Sequence, residues 1–150
     1  MKNKLIIIAA ILLAGFLGVE NYNDTATSAK RDVATQSSRS DDADFAQAFE
    51  RRATKLQMAG QGTVIKVLSD DNDGSRHQRF ILRLASGQSL LVAHNIDLAP
   101  RVADIQTGDT VEFYGQCEWS EKGGVIHWTH ADPRGRHVGG WLKHNGQTYQ

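Results

Sequence analysis

A dense group of ionisable side chains lies near the carboxyl end of this sequence, between residues 127 and 137. The group consists of His127, His130, Asp132, Arg134, Arg136 and His137. Imidazole and carboxylate groups are preferred ligands of zinc and similar metals. Because His130, Asp132 and His137 follow a predicted strand and share a loop with Pro and Gly, they are the predicted metal ligands, with zinc as the possible ion. Their spacing matches no standard zinc signature, so they could instead be ordinary polar surface residues.

The arginines and tryptophans of the same region could recognise an anion. Arg134 and Arg136 supply planar donors that fit phosphate, and Trp128 supplies a face on which a base or sugar could stack. The alternative for the tryptophans is packing at the end of the fold. In a hydrolase, a histidine would act as general base and the arginines would stabilise developing charge. The candidate catalytic residues are His94, His127, Arg134 and Arg136.

The single cysteine and an acidic segment are predicted to be structural. Cys117 cannot form an internal disulfide alone, and free cysteine is usually buried, so we expect it within a strand. Residues 70–74 (DDNDG) suggest a calcium loop at first sight. If Gly74 takes the sixth position of an EF-hand loop, Ser69 is first and Phe80 is last, and neither has a carboxylate. The segment is therefore predicted to be a hairpin turn.

These residues need elements to position them, and hydrophobic periodicity predicts one helix followed by five strands. The helix is expected from Asp44 to Met58, and Gly60 would end it. Its apolar face consists of Phe45, Phe49, Ala53 and Leu56. The strands are predicted at Gly62–Ser69, Arg76–Leu84, Gln88–Ala93, Thr110–Trp119 and Val125–His130. A final hairpin is expected in Trp141–Tyr149, with Asn145-Gly146 as its turn.

Five short strands, with the longest connector between the third and the fourth, match the Greek-key barrel of the OB-fold. The segment Ile105–Gly115 is similar to the entry to the fourth strand of many OB-folds. The sequence therefore predicts a mainly β protein: a small five-stranded OB-like barrel with one N-terminal amphipathic helix and a C-terminal hairpin. Another small β-barrel is the alternative.

Three basic residues lie on one face of the second predicted strand, a region that OB-folds commonly use for ligands. They are His77, Arg79 and Arg83. Together with His94 and Trp128 they form the predicted ligand-binding set. The alternative is that the three basic residues are only the solvated side of a half-buried sheet.

The N-terminal segment predicts export. Lys2 and Lys4 precede an apolar run, Leu5–Val19, which has the plan of a secretory signal and is short for a spanning helix. Residues 1–19 are therefore a predicted signal peptide or membrane anchor, and they would be the only membrane contact if they were not cleaved. Residues 20–42 are a predicted flexible tether, and residues 43–150 are the predicted domain, in the periplasm or outside the cell.

The charge balance argues against one class of partner. From Gly60 to Gln150 there are 9 Lys and Arg residues against 10 Asp and Glu residues. Phosphate contacts dominate the affinity of proteins for duplex nucleic acid, and they require a positive excess. No duplex nucleic-acid partner is therefore expected.

Several long segments carry a family resemblance. They are Gly62-Thr-Val, Asp70-Asp-Asn-Asp-Gly, His77-Gln-Arg-Phe-Ile, Ala93-His-Asn-Ile-Asp-Leu-Ala-Pro-Arg, Gly108-Asp-Thr-Val-Glu-Phe-Tyr-Gly and Gly124-Val-Ile-His-Trp-Thr-His-Ala-Asp-Pro. From about Gly60 to Gln150 the chain resembles a family of small exported bacterial proteins known as domain-of-unknown-function family 3465. That family often has Tyr where this chain has Cys117, which argues against a required thiol. The resemblance implies an exported single domain and carries over no catalytic residue.

Two functions from different classes follow from these observations. The leading hypothesis is an exported OB-like binding module for an anionic or polar ligand: single-stranded nucleic acid, an oligosaccharide or a small molecule. This hypothesis rests on the predicted fold. The alternative is a metal-dependent, nuclease-like phosphodiester hydrolase that uses the His- and Asp-rich C-terminal segment. A partner in assembly or stress response is a third hypothesis.

Overall fold

The structure, a computed structural model, describes residues 43–150. The predicted signal or anchor segment, 1–19, and the predicted tether, 20–42, lie outside the described residues. A helix, α1, covers residues 43–50. Seven strands follow it: β1 (Leu56–Val67), β2 (His77–Arg83), β3 (Ser89–Asn95), β4 (Thr110–Ser120), β5 (Gly123–His127), β6 (Trp141–His144) and β7 (Gln147–Tyr149). Within residues 43–150, no helix is long and apolar enough to cross a bilayer.

The predicted helix exists but is much shorter than expected, and its last predicted turn is part of β1. Arg52 and Lys55 have φ values of 51° and 61°, a left-handed conformation in which a helix does not continue. Leu56, predicted on the apolar helix face, instead starts β1 and is 40% exposed. Leu56 and the residues after it form a strand because they pair with β4. The two strands are antiparallel over eight consecutive pairs, Leu56–Thr63.

Strands β1 to β5 close into a barrel, which confirms the predicted OB-like fold. The pairing order is β1-β2-β3-β5-β4, and an additional β1–β4 pairing joins the two ends. All neighbours are antiparallel except β3 and β5, which run parallel. A β-bulge between Val64 and Lys66 bends β1, so that its first half pairs with β4 and its second half with β2.

The barrel interior is filled by the alternate side chains of each strand. Its fully buried members include Val64, Phe80, Leu82, Leu90, Val92, Val111, Phe113 and Ile126. Helix α1 adds Phe45, whose ring meets the edge of Phe113 with centroids 5.5 Å apart. Gly60 leaves room for this contact, because a Cβ there would lie 2.8 Å from the Phe113 ring and 3.3 Å from the Phe45 ring. The residue predicted to end the helix therefore lies in a strand, where it lets the helix dock.

The C-terminal hairpin forms as predicted. Asn145 and Gly146 have φ values of 49° and 78°, the conformation of a two-residue hairpin turn. β6 pairs with the first half of β4, which extends the sheet beyond the barrel. His144 is buried and its Nε2 donates to Asp109 Oδ2 at 2.9 Å, which ties the hairpin to the start of β4.

Cys117 is expected to be chemically inert in the folded protein. It is buried beneath α1, and burial raises the pKa of its thiol to about 11. Since the thiolate is the reactive form, labelling with a thiol reagent at neutral pH should be at least tenfold slower than for a free cysteine. The rate is measured with Ellman's reagent, and denaturation in urea should restore fast labelling. Equal rates in both states would contradict this expectation.

Candidate functional site

A groove of about 300 Å³ crosses the outer face of the barrel and brings together side chains from four strands. We call it the polar groove. It is lined by Asp71, His77, Arg79, Ala93, Glu118, Val125 and His127. The predicted ligand residues His77 and Arg79 therefore lie together with His127, one of the predicted catalytic residues.

Strand register explains why these residues meet. Arg79 on β2 pairs with Ala93 on β3. The parallel β3–β5 register, with Leu91 opposite Val125, continues so that Ala93 comes opposite His127. Neighbouring strands lie about 4.8 Å apart, so Arg79 and His127 are separated by roughly 10 Å across the groove. Ala93 and Val125 are small enough to leave the floor open between these polar walls.

One wall of the polar groove is built around His127. Its Nε2 lies 3.5 Å from Glu118 Oε1, and the same oxygen accepts a 2.8 Å hydrogen bond from the Gln116 amide. Partial burial lowers the pKa of His127, while Glu118 opposes the shift and the more distant His77 and His137 add to it. The neutral ring is therefore favoured near neutral pH, where it can both donate and accept a hydrogen bond.

The opposite wall is held by the connection between β1 and β2. Asp71 and His77 exchange two backbone hydrogen bonds, both 2.9 Å long, which confirms the hairpin turn predicted for residues 70–74. The Arg79 guanidinium donates to the Ser69 carbonyl at 3.1 Å and lies 3.8 Å from the Asp71 carboxylate. These contacts fix Arg79 in place before any ligand arrives.

Trp128 stands beside the groove in a strained conformation. Its φ is 54°, which is rare for a bulky residue and is retained only where the surroundings impose it. The indole ring contacts three imidazoles: His137, His127 and His130 at centroid distances of 3.8, 5.8 and 5.7 Å. The turn at Trp128 follows the end of β5 and begins the loop of residues 129–140.

Asp132 organises that loop through its carboxylate. The carboxylate oxygens accept backbone N–H bonds from Arg134, Arg136 and His137, the first and last at 2.9 and 2.8 Å. Burial alone would raise the pKa of Asp132, but these three hydrogen bonds lower it overall. An aspartate placed in this way folds a loop and needs no ligand to explain it.

The predicted zinc ligands are close together but are not arranged around one ion. His130 and His137 meet edge to face with centroids 5.3 Å apart, and each Nδ1 bonds a neighbouring backbone carbonyl, of Ala131 and Val138. Asp132 is engaged by the loop backbone. Among residues 43–150, no three His, Cys, Asp or Glu side chains are grouped so that they could hold a metal. The geometry therefore gives these three residues a role in the loop.

Arg134 and Arg136 are exposed on the same loop. Only their backbone nitrogens have a role in its fold, and with the described residues their guanidinium groups form no ion pair. They do not line the polar groove. The structure therefore does not join them to His127 in a catalytic arrangement.

His94, predicted as a ligand or catalytic residue, lies in the barrel interior and is 0% exposed. Its Nε2 donates to the Pro100 carbonyl at 3.0 Å, and its Nδ1 accepts from the Thr129 hydroxyl at 2.9 Å. Burial lowers its pKa, which favours the neutral ring in this bonding pattern. Because alternation along β3 points residue 94 inward, a ligand on the outer face cannot reach it.

The remaining members of the groove show the limit of sequence reasoning. Asp71, Ala93, Glu118 and Val125 were not among the predicted ligand residues. Alternation within β4 and β5 would have placed Glu118 and Val125 on the outer face. Their position in the groove depends on β5 lying between β3 and β4, and no local pattern carries that order. Arg83 lies on the same face of β2 as His77 and Arg79, as predicted, but it lines a different groove.

Comparison with known proteins gives a family but no activity. No curated protein matches this chain significantly. A family model described as "Protein of unknown function (DUF3465)" matches residues 29–150, which include every described strand and the whole polar groove. This match confirms the resemblance noted in the sequence. The chain belongs to that family of proteins of unknown function.

Proposed function

We propose that this chain is an exported binding module that holds a polar ligand in the polar groove. The observation that carries the proposal is the composition of the groove. His77, Arg79 and His127 offer donors, Asp71 and Glu118 offer acceptors, and all five line one groove of about 300 Å³. Concave sites with a few convergent polar groups are the usual form of small-ligand sites.

The charges of the groove favour an uncharged, hydroxyl-rich ligand over a polyanion. Two carboxylates, Asp71 and Glu118, face a ligand beside Arg79, and Arg79 is already near one of them. A phosphate chain would meet repulsion from both acids. A sugar hydroxyl both donates and accepts, so it can satisfy carboxylate and imidazole together. Of the ligands considered, an oligosaccharide therefore fits best, with Trp128 beside the groove as an apolar face.

The groove also has the rigidity that specific binding needs. Six of its seven lining residues belong to strands of a closed barrel, and the seventh, Asp71, is fixed by paired backbone hydrogen bonds. Preorganised groups lose little conformational entropy on binding, so even a shallow groove can hold a polar ligand. Export remains part of the proposal and rests on residues 1–19.

Filling the groove floor should weaken ligand binding strongly and leave the charged residues of the groove unchanged. Ala93→Phe places a phenyl ring between Arg79 and His127, and we expect at least a tenfold loss of affinity. Calorimetry and tryptophan fluorescence on the full-length protein would be used with four probes: maltotetraose, cellotetraose, chitotetraose and a single-stranded oligothymidylate. At least one oligosaccharide should bind saturably.

The matched control is Ala59→Phe, because Ala59 is an exposed strand alanine that does not line the groove. It should bind as the wild type does, and thermal melts of both variants check that the fold is retained. Absence of saturable binding by every probe, or binding unaffected by Ala93→Phe, would overturn the proposal. Binding of the oligothymidylate alone, lost in Ala93→Phe, would retain the groove and overturn the sugar assignment.

The metal-dependent phosphodiester hydrolase stays a hypothesis that no observation favours. Its intended ligands His130, Asp132 and His137 are engaged in folding the loop, as described above. Of its two candidate general bases, His94 lies in the interior and His127 lines the polar groove. The binding module needs neither a bound metal nor His94, and it uses residues that line one groove.

A further inference from the structure

A second groove, of about 460 Å³, lies on the barrel surface around Arg83. We call it the Arg83 groove. It shares no lining residue with the polar groove. Arg83 lies four residues beyond Arg79 on β2, so the two arginines are roughly 13 Å apart along the strand. The residues that matter for its chemistry are Gln61, Thr63, Ile65, Arg83, Ala85 and Thr110.

One side of the Arg83 groove is a row of hydrogen-bond donors that crosses three strands. Thr63 on β1 pairs with Arg83 on β2 in one direction and with Thr110 on β4 in the other. Paired residues point to the same face, so two hydroxyls and a guanidinium stand side by side at about the strand spacing of 4.8 Å. The Gln61 amide lies beside this row. Such a row can donate several hydrogen bonds to one oxyanion.

The charge around Arg83 differs from that of the polar groove. No Asp or Glu lines the Arg83 groove. Within residues 43–150, the Arg83 guanidinium forms no hydrogen bond or ion pair, whereas Arg76 is bound to Asp97 at 2.7 Å. The two acids closest in sequence to Thr110 are already engaged, since Glu112 pairs with Lys143 at 3.1 Å and Asp109 with His144 at 2.9 Å. The groove therefore holds a positive charge that no described side chain neutralises.

The other side of the Arg83 groove is apolar. Ile65 lies at the β-bulge of β1, and Ala85 is exposed just after the end of β2. Their methyl groups offer surface that favours contact with hydrocarbon. A volume of about 460 Å³ falls within the range of small-ligand sites. The ligand that fits has an anionic end and an apolar body.

We propose that the Arg83 groove binds a small molecule that carries a phosphate or carboxylate group on an apolar body. Arg83 would make the ionic contact, the hydroxyls of Thr63 and Thr110 would donate to the same oxyanion, and Ile65 and Ala85 would contact the body. The site goes beyond the proposed function because its position and its ligand chemistry both differ from those of the polar groove.

The test is a titration of the full-length protein with phenyl phosphate, followed by two-dimensional amide NMR. Phenyl phosphate should bind saturably, with the largest shifts at Thr63, Arg83 and Thr110. Inorganic phosphate and benzyl alcohol each supply half of the contacts and should bind at least tenfold more weakly. Benzoate in place of phenyl phosphate distinguishes a carboxylate site from a phosphate site.

Three variants separate a built site from a general attraction of anions. Arg83→Gln should weaken phenyl phosphate at least tenfold, and Thr63→Val, which keeps the shape and removes the hydroxyl, should weaken it severalfold. Arg134→Gln is the matched control, because Arg134 is an exposed arginine outside both grooves that likewise forms no ion pair with described residues. This variant should bind phenyl phosphate with the affinity of the wild type.

Two results would overturn the proposal. One is the absence of saturable binding of both phenyl phosphate and benzoate to the wild type. The other is an equal loss in Arg83→Gln and Arg134→Gln, which would mean non-specific attraction by surface charge. Ala93→Phe should leave phenyl phosphate binding intact, so a failure at the Arg83 groove and a failure at the polar groove remain distinguishable.

Discussion

Replacing Gly140 with alanine is expected to destabilise the domain by about 3 kcal/mol, the upper part of the range for overpacking a well-packed interior. A Cβ at this buried position would overlap the carbonyl oxygens of Trp128 and Tyr114 and would lie 3.1 Å from the Thr129 Cα. All three neighbours are backbone, so no side chain can rotate away. The measurement is the free energy of unfolding in urea.

Gly139→Ala is the matched control for this prediction. The nearest atoms to a Cβ at Gly139 lie 3.6 Å away, which is ordinary van der Waals contact. It should therefore change the free energy of unfolding by less than about 1 kcal/mol. If Gly140→Ala were as stable as Gly139→Ala, the close approach of the Trp128, Tyr114 and Gly140 backbones would be wrong. The fixed position of Trp128 beside the polar groove would then lose its basis.

The second large effect is a loss of stability in mild acid, caused by the buried His94. Burial lowers the pKa of His94 below its ordinary value of 6.5, and the charges of His130 and His77 add to the shift. The unfolded chain therefore binds the proton more readily than the folded chain. The stabilisation is fully present above pH 6.5 and is lost as the pH falls towards the folded pKa. From about pH 7.5 to about pH 5 the loss is up to about 2 kcal/mol.

Urea unfolding measured across this pH range, with wild type and His94→Gln, tests the assignment. Glutamine cannot titrate, so the variant should start less stable at the neutral end of the range and then show a flatter pH profile. The pKa of His127 is also lowered by burial, so a smaller pH dependence of stability should remain in the variant. It is smaller because His127 is less buried than His94. The aspartates with lowered pKa values, Asp97, Asp109 and Asp132, act only nearer to about pH 4, outside this range. An unchanged slope in His94→Gln would contradict the prediction.

The two grooves, taken together, indicate how the barrel surface is divided. His77 and Arg79 face a groove that contains carboxylates, and Arg83, on the same strand, faces one that contains none. A ligand of mixed polarity fits the first and an anion with an apolar body fits the second. Ile81, the residue between Arg79 and Arg83 on the same face, lines neither groove and separates the two kinds of surface.

Much of the fold could be predicted because strand alternation and turn residues are local signals. Phe80 and Leu82 were expected on one face and are buried together, and Asn145-Gly146 was expected to make the final turn and does so. The predicted end of the helix was wrong, because Leu56, Gln57 and Met58 continue the helical periodicity but gain more from the pairing of β1 with β4. At these positions the hydrogen bonds between distant strands outweigh the local helix propensity.

The sequence by itself determined which side chains point outward: alternation alone places His77, Arg79 and Arg83 on one face of β2. Only the tertiary structure decided which of them share a site. The parallel pairing of β3 with β5 places His127 next to Ala93, whose other neighbour is Arg79 on β2. The pairing of β1 with β2 and β4 places Arg83 beside Thr63, in another groove. The physical reason is that pairing between strands depends on closing the whole barrel, and no segment of the chain contains that information alone.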